Sequence, residues 1–238
     1  YLRLLIKVVN LIKKNKFLQE IKIMNLIKSK PHPNIVKCYD IINEKEDYIY
    51  IIMEYCSSGT LQSIMGRPIK EEFVQYYFNQ INDGLKYLRD NNIQHRDIKP
   101  TNILLTDNFK ILKIADFGLS KETIYDTYID IFCGSPLYMA PELINKTKFS
   151  KRADLWSIGL ILYEMIYGTH PFKKCNNLNE LIKTMDTVKI SIPPELDNNK
   201  NVSDSCKDLM KKLLEKNFSN RISWDEFYKY KWLNLFSN

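Results

Sequence analysis

A chain of 238 residues, 45% hydrophobic and 26% charged, has apolar material for one large domain or two smaller lobes, and extended disorder is excluded. Its longest apolar run, Trp156 to Ile166, is broken by Ser157, Gly159 and Glu164 and is too short for a membrane span. The net charge of +7 is carried by scattered lysines with no basic stripe interleaved with aromatics, so no nucleic-acid partner is expected.

Tyr1 to Asn10, rich in Leu, Ile and Val, reads as a strand, and Phe17 to Ile27 repeats apolar residues at helical spacing. Two prolines force a turn at Pro31-His32-Pro33-Asn34. Strands are expected at Ile35 to Ile42 and Tyr48 to Met53, with Asn43 to Asp47 as a polar hairpin loop. Past the break at Ser57-Ser58-Gly59 the chain turns helical. Lys70 to Arg89 is expected as an amphipathic helix with Phe73, Tyr77, Ile81, Leu85 and Leu88 on one face. Short strands at Ile103 to Leu105 and Leu112 to Ile114 precede Asp116. Ala153 to Tyr167 reads as a buried helix, and Leu178 to Thr187, Ser203 to Glu215 and Trp224 to Lys229 supply further helices. Strands first and helices later predict an α+β protein, a small sheet-containing lobe followed by a helical one. Five cysteines, Cys38, Cys56, Cys133, Cys175 and Cys206, lack any paired or metal-type spacing. Such a set fits a reducing compartment, with the cytoplasm expected, and Tyr1 to Val9 lacks the pattern of a secretory signal.

Three motifs carry chemistry: His95-Arg96-Asp97-Ile98-Lys99-Pro100-Thr101-Asn102, Asp116-Phe117-Gly118 and Ala140-Pro141-Glu142. Each tripeptide alone occurs often by chance. In this order and spacing they read as one site for phosphoryl transfer, which needs an oriented hydroxyl, neutralised phosphate oxygens and hard oxygen ligands for a metal.

On these residues the chain resembles the eukaryotic serine/threonine protein kinases over about Lys7 to Trp232. Phe132 to Glu142 is most similar to the autophagy-initiating group, with the calcium/calmodulin-dependent and AMP-activated groups close behind. The resemblance implies a two-lobed kinase-like fold, a β-rich N-lobe over 1–55 and a helical C-lobe over 56–238. It implies transfer of the γ-phosphoryl group of ATP, with magnesium, to protein serine or threonine hydroxyls. Asp97 is then the residue that orients the acceptor hydroxyl and takes its proton, with Lys99 stabilising the migrating group. Asn102 and Asp116 hold magnesium. Lys7, in Leu4-Leu5-Ile6-Lys7, binds the α- and β-phosphates and pairs with Glu20. Met53 stands beside adenine, backbone groups of Glu54 and Cys56 bind the base edge, and Leu104 forms its floor. Cys56 is expected to be an inert thiol.

The same resemblance assigns His95, Phe117 and Met24 to a stacked column and Asp154 to the anchor of the catalytic loop. It pairs Glu142 with Arg221 and places Ser135 in hydrogen bonds to Asp97 and Lys99. Arg96, Lys121 and Lys16 form a pocket for an activation-segment phosphate, supplied by an upstream kinase or a regulatory partner. Ile131 stands where that phosphothreonine commonly lies, so Thr127 or Tyr128 is expected to serve, or Asp130 as a fixed charge. Thr101 replaces a glutamate of arginine-directed kinases while Glu164 remains, so weak preference for basic residues before the acceptor is expected.

Two departures set an alternative beside this reading. Leu5 stands where the family has a small alanine over the adenine, and a Gly-rich loop is expected upstream of Lys7, where only six residues precede it. An N-terminally truncated piece is the expected cause, with a non-catalytic pseudokinase scaffold as the alternative function.

Overall fold

The computed structural model describes residues 3–10, 14–45, 48–122, 135–145, 150–193, 195–196 and 200–234. The chain forms two compact units, one of Tyr1–Leu61, Gln80–His95 and Thr101–Tyr125, the other of Gln62–Asn79, Arg96–Pro100 and Asp126–Asn238.

The first unit is built on an antiparallel sheet of β1 (Leu4–Asn10), β2 (Cys38–Lys45) and β3 (Tyr48–Glu54), in the order β1-β3-β2. The central strand β3 alternates as a half-buried strand should, with Ile49, Ile51 and Met53 inward. β1 is an edge strand whose Leu4, Ile6 and Val8 are exposed, while Val9 is buried. Between β1 and β2 lies α1 (Lys14–Ser29), which buries Glu20, Ile23, Met24 and Ile27, one helical face at three- and four-residue spacing. The strand expected at Ile35 to Ile42 is displaced to Cys38–Lys45. Ile35 and Val36 are instead drawn to another strand: Ile35 bridges Ile114, and the Val36 N–H donates to the Ile114 carbonyl at 2.9 Å.

α2 (Glu71–Asp90) follows. Of the expected face, Tyr77, Ile81, Leu85 and Leu88 are buried, joined by Val74 and Phe78, whereas Phe73, expected inside, is exposed. The run of aromatics Phe73, Tyr76, Tyr77 and Phe78 at the start of the helix lets either side of its first turn look apolar. The remaining strands of the first unit are β4 (Ile93–Gln94), β5 (Ile103–Thr106), β6 (Ile111–Ile114) and β7 (Lys121–Glu122), paired β4 with β7 and β5 with β6.

The second unit is helical. α3 (Pro141–Ile144) precedes α4 (Ala153–Tyr167), which is buried from Ala153 through Ile166. Such a helix needs neighbours on all sides. α5 (Leu178–Thr187), the short pair β8 (Glu195–Leu196) and β9 (Lys200–Asn201), α6 (Asp204–Leu213) and α7 (Trp224–Tyr228) complete it. α4 ends at Gly168, left-handed with φ +69, where a Cβ would sit 2.6 Å from the Arg67 and Pro68 backbone. Side-chain caps open α5 at Asn177, α6 at Ser203 and α7 at Ser223, the last with a full capping box.

Candidate active site

The first unit gathers the residues expected to meet a nucleotide. β1 fixes Lys7 opposite Ile51 of β3, and the buried face of α1 presents Glu20. The Lys7 ammonium donates to Glu20 Oε1 in a short contact and lies 3.1 Å from Asp116 Oδ1. Burial works against the Lys7 charge, but Glu20 and Asp116 together outweigh it and hold its pKa above the ordinary lysine value. Burial likewise disfavours the Asp116 carboxylate, but Lys7 and the Gly118 N–H pull its pKa below the usual range. Asp116 is therefore ionised at neutral pH, and half of its side chain remains open to solvent. Its backbone is left-handed, φ 62, a strained choice for a residue other than glycine and one that clusters at functional positions. Asn102 is buried, and its carbonyl accepts the Ala115 N–H at 2.9 Å, which sets it one residue from Asp116 in the ladder.

The second unit holds the residues expected to form the catalytic loop. Lys99 Nζ donates to Asp97 Oδ2 at 2.8 Å and to Ser135 Oγ at 2.7 Å, and the Ser135 N–H donates to Asp97 Oδ1 at 3.0 Å. The Asp97 carboxylate is thus held at both oxygens. Arg96 is left-handed as well, φ 68, and its N–H donates to the buried Asp154 carboxylate at 3.0 Å, which holds the strained turn in place. In the same unit, Glu142 and Arg221 form a fully buried two-bond pair at 2.8 and 2.9 Å.

Residues 4–233 match the protein kinase domain family. The chain belongs to that family. It is 41% identical over 213 residues to the "Serine/threonine-protein kinase atg1" of Dictyostelium discoideum, covering 87% of this chain and 31% of the relative. It is 36% identical to "Serine/threonine-protein kinase ATG1b" of Arabidopsis thaliana, over 96% of this chain and 32% of that one. It is 37% identical to "Serine/threonine-protein kinase ULK3" of Rattus norvegicus, over 86% and 43%. The kinase domain thus spans well under two thirds of each of these relatives.

Within the kinase domain, the 53–56 segment begins in the last two residues of β3. Met53 is buried, and Cys56 is half-buried, its thiol pushed up to about 11 by burial and by the Glu54 charge. His95 packs against Phe117 with ring centroids 5.3 Å apart and planes tilted by 59°, and its Nε2 lies 3.0 Å from the Ala115 carbonyl. Met24 is buried on α1. Lys121 lies on β7 of the first unit and Arg96 in the second; the Lys16 side chain, Thr127, Tyr128, Asp130 and Ile131 lie outside the described residues.

One feature of the kinase domain escaped the motif reading. Lys113 of β6 is a buried cation paired with Glu54 at 2.9 Å. Its signal was visible, a lone lysine inside the apolar run Ile111 to Ala115, but nothing local named its partner. Glu164 accepts the Tyr138 hydroxyl at 2.6 Å, and burial raises its carboxyl above the usual range. Among the described residues no helix is long and apolar enough to cross a membrane.

Proposed function

We propose that this domain transfers the γ-phosphoryl group of ATP to serine and threonine hydroxyls of protein substrates. The observation that carries this reading is the assembled Lys7–Glu20–Asp116 cluster, in which Lys7 and Asp116 are each held in the charged form. A scaffold with no phosphoryl chemistry has no need of a lysine held by two carboxylates. Lys7 neutralises the α- and β-phosphates while Glu20 keeps its ammonium aimed. Asp116 and Asn102 are hard oxygen donors, the kind magnesium prefers, and the Asp116 carboxylate is held charged and half open to solvent. These two residues would hold a magnesium ion, which would supply charge neutralisation at the leaving group.

In the transfer itself the acceptor oxygen forms its bond to the γ-phosphorus as the bond to the β–γ bridging oxygen breaks, and ADP leaves with that electron pair. The hydroxyl proton passes to Asp97, whose carboxylate Lys99 at Oδ2 and the Ser135 N–H at Oδ1 hold in line. Ser135, a small residue tied to both, supports small hydroxyl acceptors over tyrosine. Glu164, occupied by Tyr138, supports weak preference for basic residues before the acceptor. The free thiols Cys38, Cys56, Cys175 and Cys206 support a cytoplasmic location, and activation by an upstream kinase at Thr127 or Tyr128, or by the fixed charge of Asp130, completes the reading.

The test is transfer of label from γ-labelled ATP to a generic serine/threonine substrate by the unaltered chain, by Asp97→Asn and by a form extended at its N-terminus. Transfer that requires Asp97 is expected. Label transfer surviving Asp97→Asn, or none from any form, would overturn the proposal.

A further inference from the structure

Glu54 ends β3 at the start of the segment expected to bind the base edge, and its side chain does not face solvent. Glu54 Oε1 accepts the Lys37 N–H at 2.6 Å and the Lys113 ammonium at 2.9 Å. The Glu54 N–H in turn donates to the Lys37 carbonyl at 3.0 Å. Lys113 and Glu54 expose only 11% and 17% of their side chains, so this is a largely desolvated pair rather than a surface contact.

The register of the β5–β6 hairpin gives the pair its meaning. Lys113 stands directly opposite Leu104, the residue expected under the adenine, so the two side chains share one face of the ladder. The chain after the 54–56 segment is fastened to the same hairpin. The Ser58 N–H donates to the Leu105 carbonyl at 3.0 Å, the Leu105 N–H to the Gly59 carbonyl at 2.9 Å, and Thr60 bridges Leu104. The segment is therefore clamped at both ends to the β5–β6 hairpin that carries Leu104, by backbone bonds to β5 downstream and by one ion pair to β6 upstream. Between the clamps, Tyr55, Cys56 and Ser57 are left to offer backbone groups to a ligand.

We propose that Lys113 is a positioning residue for the nucleotide: its ion pair with Glu54 sets the separation between the 54–56 backbone and Leu104, and so the affinity for a purine nucleotide. The inference rests on the phosphoryl-transfer reading above. Lys113 touches no reacting atom, so it acts on nucleotide binding and leaves the acceptor alone. Removing one partner leaves a desolvated charge on the other, and the upstream clamp opens to rehydrate it.

The experiment is binding of ADP with magnesium by titration calorimetry, together with steady-state kinetics, on the unaltered chain, Lys113→Met, Lys113→Arg, Glu54→Gln and the double variant Glu54→Gln/Lys113→Met. Lys113→Met is expected to weaken ADP binding at least tenfold and to raise the KM for ATP by a similar factor. The kcat and the KM for a peptide substrate should stay within about twofold. Lys113→Arg, which keeps the charge, should recover most of the loss. The double variant should lose no more than the worse single one, since the two residues act as a unit. Glu54→Gln preserves the side-chain volume and the Lys37 contact, and it carries the test should Lys113→Met fail to fold. Binding by the unaltered chain that is unchanged in the variants, or losses that add in the double variant, would overturn the inference and leave the phosphoryl-transfer reading standing. No binding by the unaltered chain would overturn both.

Discussion

Glu142→Ala should be among the most destabilising single substitutions in the second unit. The Glu142 carboxylate, on α3, and the Arg221 guanidinium are 3% and 0% exposed and share two bonds at 2.8 and 2.9 Å. Arg221 also donates to the Glu215 carbonyl at 2.9 Å and the Arg152 carbonyl at 3.0 Å, and it lies 5.3 Å from the Trp156 ring. Removing the carboxylate leaves a full positive charge inside the unit with only neutral acceptors. Breaking a buried pair from one side typically costs about 3–5 kcal/mol. A domain of this size is stable by only about 5–15 kcal/mol and loses about 2–4 °C of Tm per kcal/mol, so a fall of about 6–20 °C is expected. Calorimetric melting at neutral pH measures it, and the loss should be the same at low and high salt because a buried pair is poorly screened. Glu142→Leu with Arg221→Met, which removes both charges, should recover most of the stability. A loss below about 1 kcal/mol, or one that vanishes in high salt, would mean the pair behaves as a surface contact and would refute the reasoning.

Two further outcomes follow from ionisation. Cys56, with its thiol near 11, should be alkylated by iodoacetamide at about pH 8 roughly a hundredfold more slowly than a free cysteine, because so little thiolate is present. Peptide mapping by mass spectrometry reads this, and a rate within about tenfold of the free amino acid would contradict it. His170 is buried against Tyr138, and its Nδ1 accepts the Phe172 N–H at 3.1 Å; burial lowers its pKa from 6.5 to about 4. The unfolded chain takes up this proton below pH 6.5 while the folded chain refuses it until about pH 4. The stabilisation is therefore complete above pH 6.5 and declines as pH falls through that window, by about 3 kcal/mol in total. Urea midpoints measured across the window should slope less steeply for His170→Gln; parallel slopes would rule the effect out.

What could be read from the chain itself was local. α4 at Ala153–Tyr167 and α5 at Leu178–Thr187 fall where apolar density and end signals put them, since Gly168 and Asn177 satisfy helix ends with their own backbone and side chain. Asp97 and Lys99 are two residues apart, so their meeting needed only a turn. The placement of β2 was not legible, because Ile35 and Val36 are as apolar as any strand residue and only the nearness of Ile114 decides which partner takes them. The charge pairs divide in the same way. With 35 basic and 28 acidic side chains, spacing cannot say that Lys113 meets Glu54. Motif resemblance proposed Lys7 for Glu20 and Arg221 for Glu142, but their contacts, 13 and 79 residues apart in the chain, exist only once the sheet and helices have closed. Ionisation was decided last, for a carboxylate's proton affinity depends on burial and on neighbours that the fold alone supplies: Asp116 is held charged and Glu164 is pushed the other way.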